Sequence, residues 1–330
     1  MKKKVFVTRE IPDSGLNQIK KEFSTDIWEY TRAPTKDELI KRAQYCHGLV
    51  TLLSDPIDSA LLDQLDQLSI IAQYAVGYDN IDMEAATSNG IMVTNTPGVL
   101  TDATADLTWA LIMASARRIA EADSYVREGQ WKVSWGPKML LGKEVAGATL
   151  GIVGLGRIGS AVARRAKGFS MDILFHTRSE TNRTRSIAED LNARRVEFDE
   201  LLQESDIVSL HVPLTPETEA MIDERELEMM KEGSILVNTS RGEVINEKAL
   251  FRALKEGHLF AAGLDVFEDE PILQDNPLLQ IDNVVLAPHI GSATLETRSR
   301  MAEICAENLS KGLKGERPPN LVNSEVLNHG

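Results

Sequence analysis

The stretch from Thr149 to Ser160 constrains the fold of this 330-residue chain most. Leu150, Ile152 and Val153 form a short apolar run, the pattern of a buried strand. Glycines follow at Gly154, Gly156 and Gly159 in the spacing G-x-G-x-x-G, and Ala161 to Lys167 mixes small apolar with basic residues suited to a helix. A bare motif of this spacing can be an empty tight turn. A strand before it and a helix after it make it a dinucleotide-binding turn. Gly154 permits the turn, Gly156 lets a pyrophosphate approach the backbone, and Gly159 lets the helix pack close to the strand. The helix N-terminus then offers unpaired N–H groups and a partial positive charge to the phosphates, with Leu155, Arg157 and Ile158 beside them.

Strand-like and helix-like segments alternate on both sides of this turn. Before it, strands are expected at Val5–Thr8, Leu49–Leu53, Ile70–Tyr74 and Ile91–Thr94, with helices at Ser14–Glu22 and Ile57–Leu65. Thr101 to Arg127 reads as one long helix with Thr101 as its N-cap. Gly129 to Gly147 is irregular and holds Trp131 and Trp135. After the turn, strands are expected at Leu150–Val153, Ile173–His176, Ile207–His211, Ile235–Asn238, Ala261–Asp265 and Val284–Ala287, and a last helix over Ala293–Lys314. Such alternation implies parallel sheets. The expected fold is α/β, with two Rossmann-like doubly wound domains and a crevice between them. Residues 1–98 and 289–330 would form a flavodoxin-like substrate domain, and 99–288 the NAD(P)-binding domain. Hinges are expected near Asn95–Leu100 and Pro288–Ala293.

Charge and cysteine usage exclude several classes. A net charge of −14 argues against a nucleic-acid partner, because binding phosphates needs a basic surface. Cys46 and Cys305 stand far apart in no metal-type spacing, so neither a disulfide framework nor a metal site is expected. The opening Met1 to Thr8 reads as a first strand rather than a signal peptide, and no apolar run approaches membrane-spanning length. A soluble cytoplasmic protein is expected.

Two further groups of residues carry chemistry. The strand ending at His176 has no carboxylate at its tip to bind ribose hydroxyls; Glu180 comes late. Thr177, Arg178 and Ser179 instead offer hydroxyls and a guanidinium suited to a phosphate, which points to NADP in preference to NAD. Arg241, Glu270 and His289 stand at or just beyond successive strand ends. Singly, each has an ordinary reading: a surface Arg, a solvated Glu, a structural His. In a doubly wound sheet, however, these strand ends face the ligand.

The chain resembles the D-isomer-specific 2-hydroxyacid dehydrogenases, and among them the glyoxylate/hydroxypyruvate reductases, a group that includes 2-ketogluconate reductases. The matching stretches are Gly154–Gly159, Asn238–Gly242, Gly263–Pro271, Pro288–Thr294, Ala75–Asp82 and Leu100–Ala105. The resemblance implies NAD(P)H-dependent reduction of a small 2-oxo acid. Arg241 would hold the substrate carboxylate, His289 would be the proton donor, and Glu270 would favour its imidazolium form. It further implies substrate contacts at Leu53, Ser54, Val76 and Gly77. The cofactor would be lined by Thr104, Leu155 to Ile158, Thr177, Arg178, Ser179, Val212, Pro213, Thr239, Ser240, Asp265 and Gly291, with Asp265 facing the nicotinamide amide. A homodimer is implied, with Trp135 either entering the partner's pocket or packing on the interface. The competing readings are a corepressor-like nucleotide-sensing binding protein on the same scaffold, and a D-3-phosphoglycerate or other D-2-hydroxyacid dehydrogenase.

Overall fold

The structure, a computed structural model, describes residues 2–328. The chain divides into two units, one up to Leu100 and from Ser292 onward, the other Thr101–Gly291.

The first unit is built on five parallel strands: β1 (Lys4–Val7), β2 (Ser24–Ile27), β3 (Gly48–Thr51), β4 (Ile70–Gln73) and β5 (Met92–Thr94), in the order β2-β1-β3-β4-β5. This is the flavodoxin-like order. Alternate side chains go to opposite faces, as the two-residue strand period requires. Phe6, Leu49, Ile71 and Val93 pack with Leu39, Leu61, Leu62 and Ala86 on one face. Val5, Val7, Val50, Ile70 and Ala72 pack with Leu16, Ile19, Cys305 and Leu309 on the other. The last helix, Leu295–Leu313, is capped by Thr294, which accepts from Thr297 N–H at 3.0 Å. It lies so close to helix Asp13–Glu22 that a Cβ on Gly15 would sit 2.1 Å from the Ala302 carbonyl oxygen. Both chain ends therefore build this unit. The edge strand β2 has no apolar run to announce it; backbone pairing with β1 makes it.

The second unit carries seven parallel strands: β6 (Thr149–Val153), β7 (Asp172–His176), β8 (Arg194–Arg195), β9 (Ile207–Leu210), β10 (Ile235–Asn238), β11 (Ala261–Leu264) and β12 (Val284–Leu286). Their order is β12-β11-β10-β9-β6-β7-β8, the dinucleotide-fold order with one strand added. Leu150, Ile152, Ile173, Phe175, Ile207 and Val237 face Leu111, Ile112, Ala161 and Val162. Val153, Leu174, Val208, Leu210, Leu236 and Leu264 face Leu201, Leu202, Leu227 and Leu250.

The expected single helix over Thr101–Arg127 is two. Helix Thr101–Ala116 stops, Arg118 takes a left-handed φ of 53°, and helix Ile119–Arg127 follows. The reason is tertiary. The Ala116 carbonyl accepts from Lys143 N–H at 2.8 Å, and Gly142 packs against that same carbonyl. Arg118 is held in its turn by both oxygens of Glu121, each at 2.7 Å. Thr101 lies within the first turn rather than capping it. The Ile57–Leu65 helix contracts to Ser59–Leu62, capped by Asp58. Among the described residues, no helix is long and apolar enough to cross a membrane.

Candidate active site

The glycine turn leaves the carboxyl end of β6, beside β9, where the strand order reverses. Two of its glycines are required by the protein's own packing. Gly154 has φ +96°, and a Cβ there would lie 2.6 Å from the His211 carbonyl oxygen. A Cβ on Gly159 would lie 2.2 Å from the Gly154 carbonyl oxygen, so the helix Arg157–Ala166 can approach the turn only without one. Gly156 is different: nothing stands within 4 Å of where its Cβ would be. It is also the N-cap of that helix and provides no side-chain cap for the first-turn N–H groups. A bare backbone facing open space, with uncapped donors behind it, fits a pyrophosphate. Leu155 is buried at 2 % exposure, so it offers only backbone to this cradle.

Beyond β7, Thr177 is half-buried and Arg178 and Ser179 are exposed. The late carboxylate Glu180 is engaged by Arg185 at 3.3 Å and Arg195 at 3.8 Å. The loop past β7 is thus rich in guanidinium groups, and its own carboxylate, Glu180, is paired. Val212 and Pro213 follow β9, with the Pro213 carbonyl fixed by the Thr218 hydroxyl at 2.7 Å.

Arg241, Glu270 and His289 follow β10, β11 and β12, which are hydrogen-bonded neighbours. Buried Asn238 shapes the first turn: its amide donates to the Arg241 carbonyl at 2.7 Å and its oxygen accepts from Ser240 N–H at 2.9 Å and the Ser240 hydroxyl at 2.7 Å. Arg241 Nη1 donates to the Ser240 carbonyl at 2.7 Å. Gly242 then presses against the next loop; a Cβ on it would meet the Phe267 carbonyl carbon at 1.8 Å. In that loop Glu270 accepts from Phe267 N–H at 3.2 Å with Oε1 and from His289 Nδ1 at 2.7 Å with Oε2. Because the carboxylate accepts, Nδ1 carries the hydrogen of the pair, and Nε2 is the nitrogen directed away from Glu270.

His289 sits in the left-handed region with φ 51°, a conformation that costs a non-glycine residue energy and persists only when its surroundings hold it. Asp265 is what holds it. The Asp265 carbonyl accepts from His289 N–H at 2.8 Å, and its carboxylate oxygens accept from Ile290 N–H at 2.7 Å and Gly291 N–H at 2.8 Å. Burial at 1 % exposure pushes the Asp265 carboxyl above its ordinary range, against the opposing pull of those N–H donors. These bonds put His289 to Gly291 in the Thr101–Gly291 unit. Thr104 donates to the Gly291 carbonyl at 3.2 Å, and Thr108, one helical turn on, meets the Thr239 hydroxyl at 2.9 Å.

Leu53, Ser54, Val76 and Gly77 lie in the first unit, just past β3 and β4. A buried polar network orders their loops. Asn80 donates to the carbonyls of Leu52 at 3.1 Å and Asp55 at 2.8 Å and accepts from Gln73 at 2.7 Å. Arg9 pairs with fully buried Asp55 at 3.0 Å and donates to the Ser54 hydroxyl at 2.5 Å. Asn95 donates to the Val76 carbonyl at 2.8 Å. Sequence reading missed this network and the Asp265 and Thr108 contacts. A helical spacing from Thr104 could have flagged Thr108; nothing local flags the others. Trp135 is 72 % exposed in the irregular stretch before β6.

Residues 109–291 match the family described as D-isomer specific 2-hydroxyacid dehydrogenase, NAD binding domain. A glyoxylate reductase of Korarchaeum cryptofilum is 58 % identical over 99 % of this chain and 98 % of its own. The chain belongs to the D-isomer-specific 2-hydroxyacid dehydrogenase family. Solved structures of similar fold include an NADPH-dependent glyoxylate/hydroxypyruvate reductase from Sinorhizobium meliloti with NADP and malonate, 30 % identical with a TM-score of 0.85 over 99 % of this chain and 98 % of that one. A D-lactate dehydrogenase from Aquifex aeolicus with NAD and lactic acid is 29 % identical, with a TM-score of 0.84 over 97 % and 98 %. This dehydrogenase is therefore an oxidoreductase with a nicotinamide-cofactor domain, which sets aside the corepressor-like alternative.

Proposed function

We propose that this dehydrogenase reduces glyoxylate, or a similarly small 2-oxo acid such as hydroxypyruvate or 2-ketogluconate, to the 2-hydroxy acid, of D configuration where it is chiral, with NADPH preferred over NADH. The observation that carries this reading is the His289–Glu270 pair at 2.7 Å, at the same carboxyl end of the parallel strands as the open glycine cradle. The reduced nicotinamide, when bound, supplies hydride to the carbonyl carbon. Arg241 binds the substrate carboxylate through a charge-assisted contact. His289 delivers a proton from Nε2 to the carbonyl oxygen, so that carbon gains hydride, oxygen gains a proton and the C=O double bond becomes a hydroxyl-bearing single bond. Glu270 keeps the imidazole in its orientation by accepting Nδ1–H, and offsets the positive charge on the loaded ring. Asp265 fixes the turn that presents the ring.

The Thr101–Gly291 unit takes the cofactor in this reading, with Arg178 and the hydroxyls of Thr177 and Ser179 receiving the ribose phosphate of NADP. The Val76 and Gly77 backbone assists in holding the carboxylate, and Leu53 and Ser54 meet the substrate's tail. The chain works as a homodimer, with exposed Trp135 contributed across the interface. The test is to mix the protein with NADPH and a panel of small 2-oxo acids and follow nicotinamide absorbance. Fastest loss with glyoxylate is expected, and absence of loss with every member would refute the proposal.

A further inference from the structure

Glu247 is the first residue of helix Glu247–Lys255 and is 7 % exposed. Its carboxylate works only as an acceptor. Oε1 accepts from Glu268 N–H at 2.8 Å and Oε2 from Asn276 Nδ2 at 2.6 Å. In return, Glu247 N–H donates to the Glu268 carboxylate at 2.9 Å. This two-way clasp joins the helix start to the loop two residues before Glu270. Burial raises the Glu247 carboxyl, Glu268 and Asp269 nearby add repulsion, and the two donated hydrogen bonds oppose both. Burying a carboxylate among other acids is an expensive way to fasten a loop. It is justified if the loop must be held to a fraction of an ångström.

We infer that Glu247 is a positioning residue for the acid–base pair. It fixes the Phe267–Pro271 loop so that Glu270 stays within hydrogen-bond reach of His289 Nδ1. The inference rests on the proposed roles of Glu270 and His289. Besides the Phe267 side chain, which is buried in the core, the loop has two other anchors. Gly242 packs under Phe267, which sets its height above the sheet, and Phe267 N–H binds Glu270 itself. Neither controls the slide of Glu268 along the loop; the Glu247 carboxylate does. An amide cannot replace it. Glutamine has one acceptor oxygen, so its NH2 would face either the Glu268 N–H or the Asn276 NH2, donor against donor. Asn276 cannot turn over to help, because its carbonyl already accepts from Leu278 N–H at 3.0 Å.

The experiment compares Glu247→Gln, Glu270→Gln and the double variant for kcat, glyoxylate KM, NADPH Kd and the solvent deuterium isotope effect on kcat. Glu247→Gln is expected to lower kcat about tenfold, part of the roughly 10²–10⁴ that a general acid contributes. KM and Kd should stay within about twofold, and the isotope effect should rise because proton delivery slows. In the Glu270→Gln background the same substitution should change kcat little, since no carboxylate remains to be positioned. Glu247→Asp, which keeps both acceptors, should recover part of the loss. Equal kcat losses in both backgrounds, or an unchanged isotope effect, would make Glu247 merely structural and overturn the inference. Full activity of Glu270→Gln alone would instead overturn the proposed mechanism, and this inference with it. If Glu247→Gln does not fold, Asn276→Ala removes one partner of the same carboxylate and should give a smaller loss of the same kind; wild-type kcat in that variant would count against the clasp.

Discussion

Gly156 and Gly159 stand three residues apart in one turn, yet adding a methyl group to each should have opposite consequences. At Gly159 the new Cβ would lie 2.2 Å from the Gly154 carbonyl oxygen, a backbone atom that cannot step aside alone. The helix must shift by about 1 Å, and overpacking of this kind costs about 1–3 kcal/mol. At about 2–4 °C per kcal/mol for a domain of this size, Gly159→Ala should lower the thermal midpoint of the cofactor-free protein by about 2–12 °C. Gly156 has no atom within 4 Å of its Cβ position, and its φ of −78° is open to any L-residue. Alanine restricts the unfolded chain there, worth about 0.4–1 kcal/mol, but is a poorer N-cap than glycine by a similar amount. The midpoint should therefore move by less than about 3 °C in Gly156→Ala. Cofactor binding should reverse the ranking of harm. If the proposed cradle holds the phosphates, a methyl group on Gly156 would stand where one meets backbone N–H groups, and losing one hydrogen bond to a charged group costs about 1.5–3 kcal/mol. That weakens NADPH binding about 10- to 150-fold. Circular dichroism on the cofactor-free proteins gives the midpoints, and titration followed by nicotinamide fluorescence gives Kd. Gly156→Ala with wild-type affinity, or with a midpoint as low as that of Gly159→Ala, would refute the assignment of Gly156 to the phosphates.

Three further outcomes follow from the site. His289→Asn should lower kcat for glyoxylate by about 10²–10⁴ while leaving NADPH Kd within about threefold; equal losses in both would mean that the imidazole does not act in the proton step. Arg178→Ala should raise KM for NADPH about tenfold or more, the loss of one charge-assisted phosphate contact, and change KM for NADH little; parallel changes for both would remove Arg178 from the ribose phosphate. The His211 imidazole, hydrogen-bonded to the Ser209 hydroxyl at 2.9 Å, is pushed by burial down to about 3. Between there and its unfolded value of about 6.5 the unfolded chain binds the extra proton, so acidification through that window favours unfolding. The urea midpoint should accordingly fall less between pH 7 and pH 5 in His211→Gln than in the parent, and equal falls would exclude this cause.

Much of the scaffold was legible in the residue order because its signals are local. Four- and five-residue apolar runs marked ten of the strands, and the glycine spacing between strand and helix marked the cradle. At two places where the expected elements differ from the structure, the deciding partner lies elsewhere in the chain. Ser24–Ile27 is a strand because Lys4–Val7 pairs with it, and the helix after Thr101 breaks because Lys143 takes the Ala116 carbonyl. The site divides in the same way. Arg241, Glu270 and His289 could be picked out from their type and their place after strands. The 2.7 Å contact between the last two could not, nor the Asp265 bonds that keep His289 at positive φ. Periodicity and turn chemistry act over a few residues and therefore appear in the sequence itself. A hydrogen bond between residues 19 to 26 positions apart needs two strand ends to be neighbours in the sheet, and only the folded order of β10, β11 and β12 makes them so.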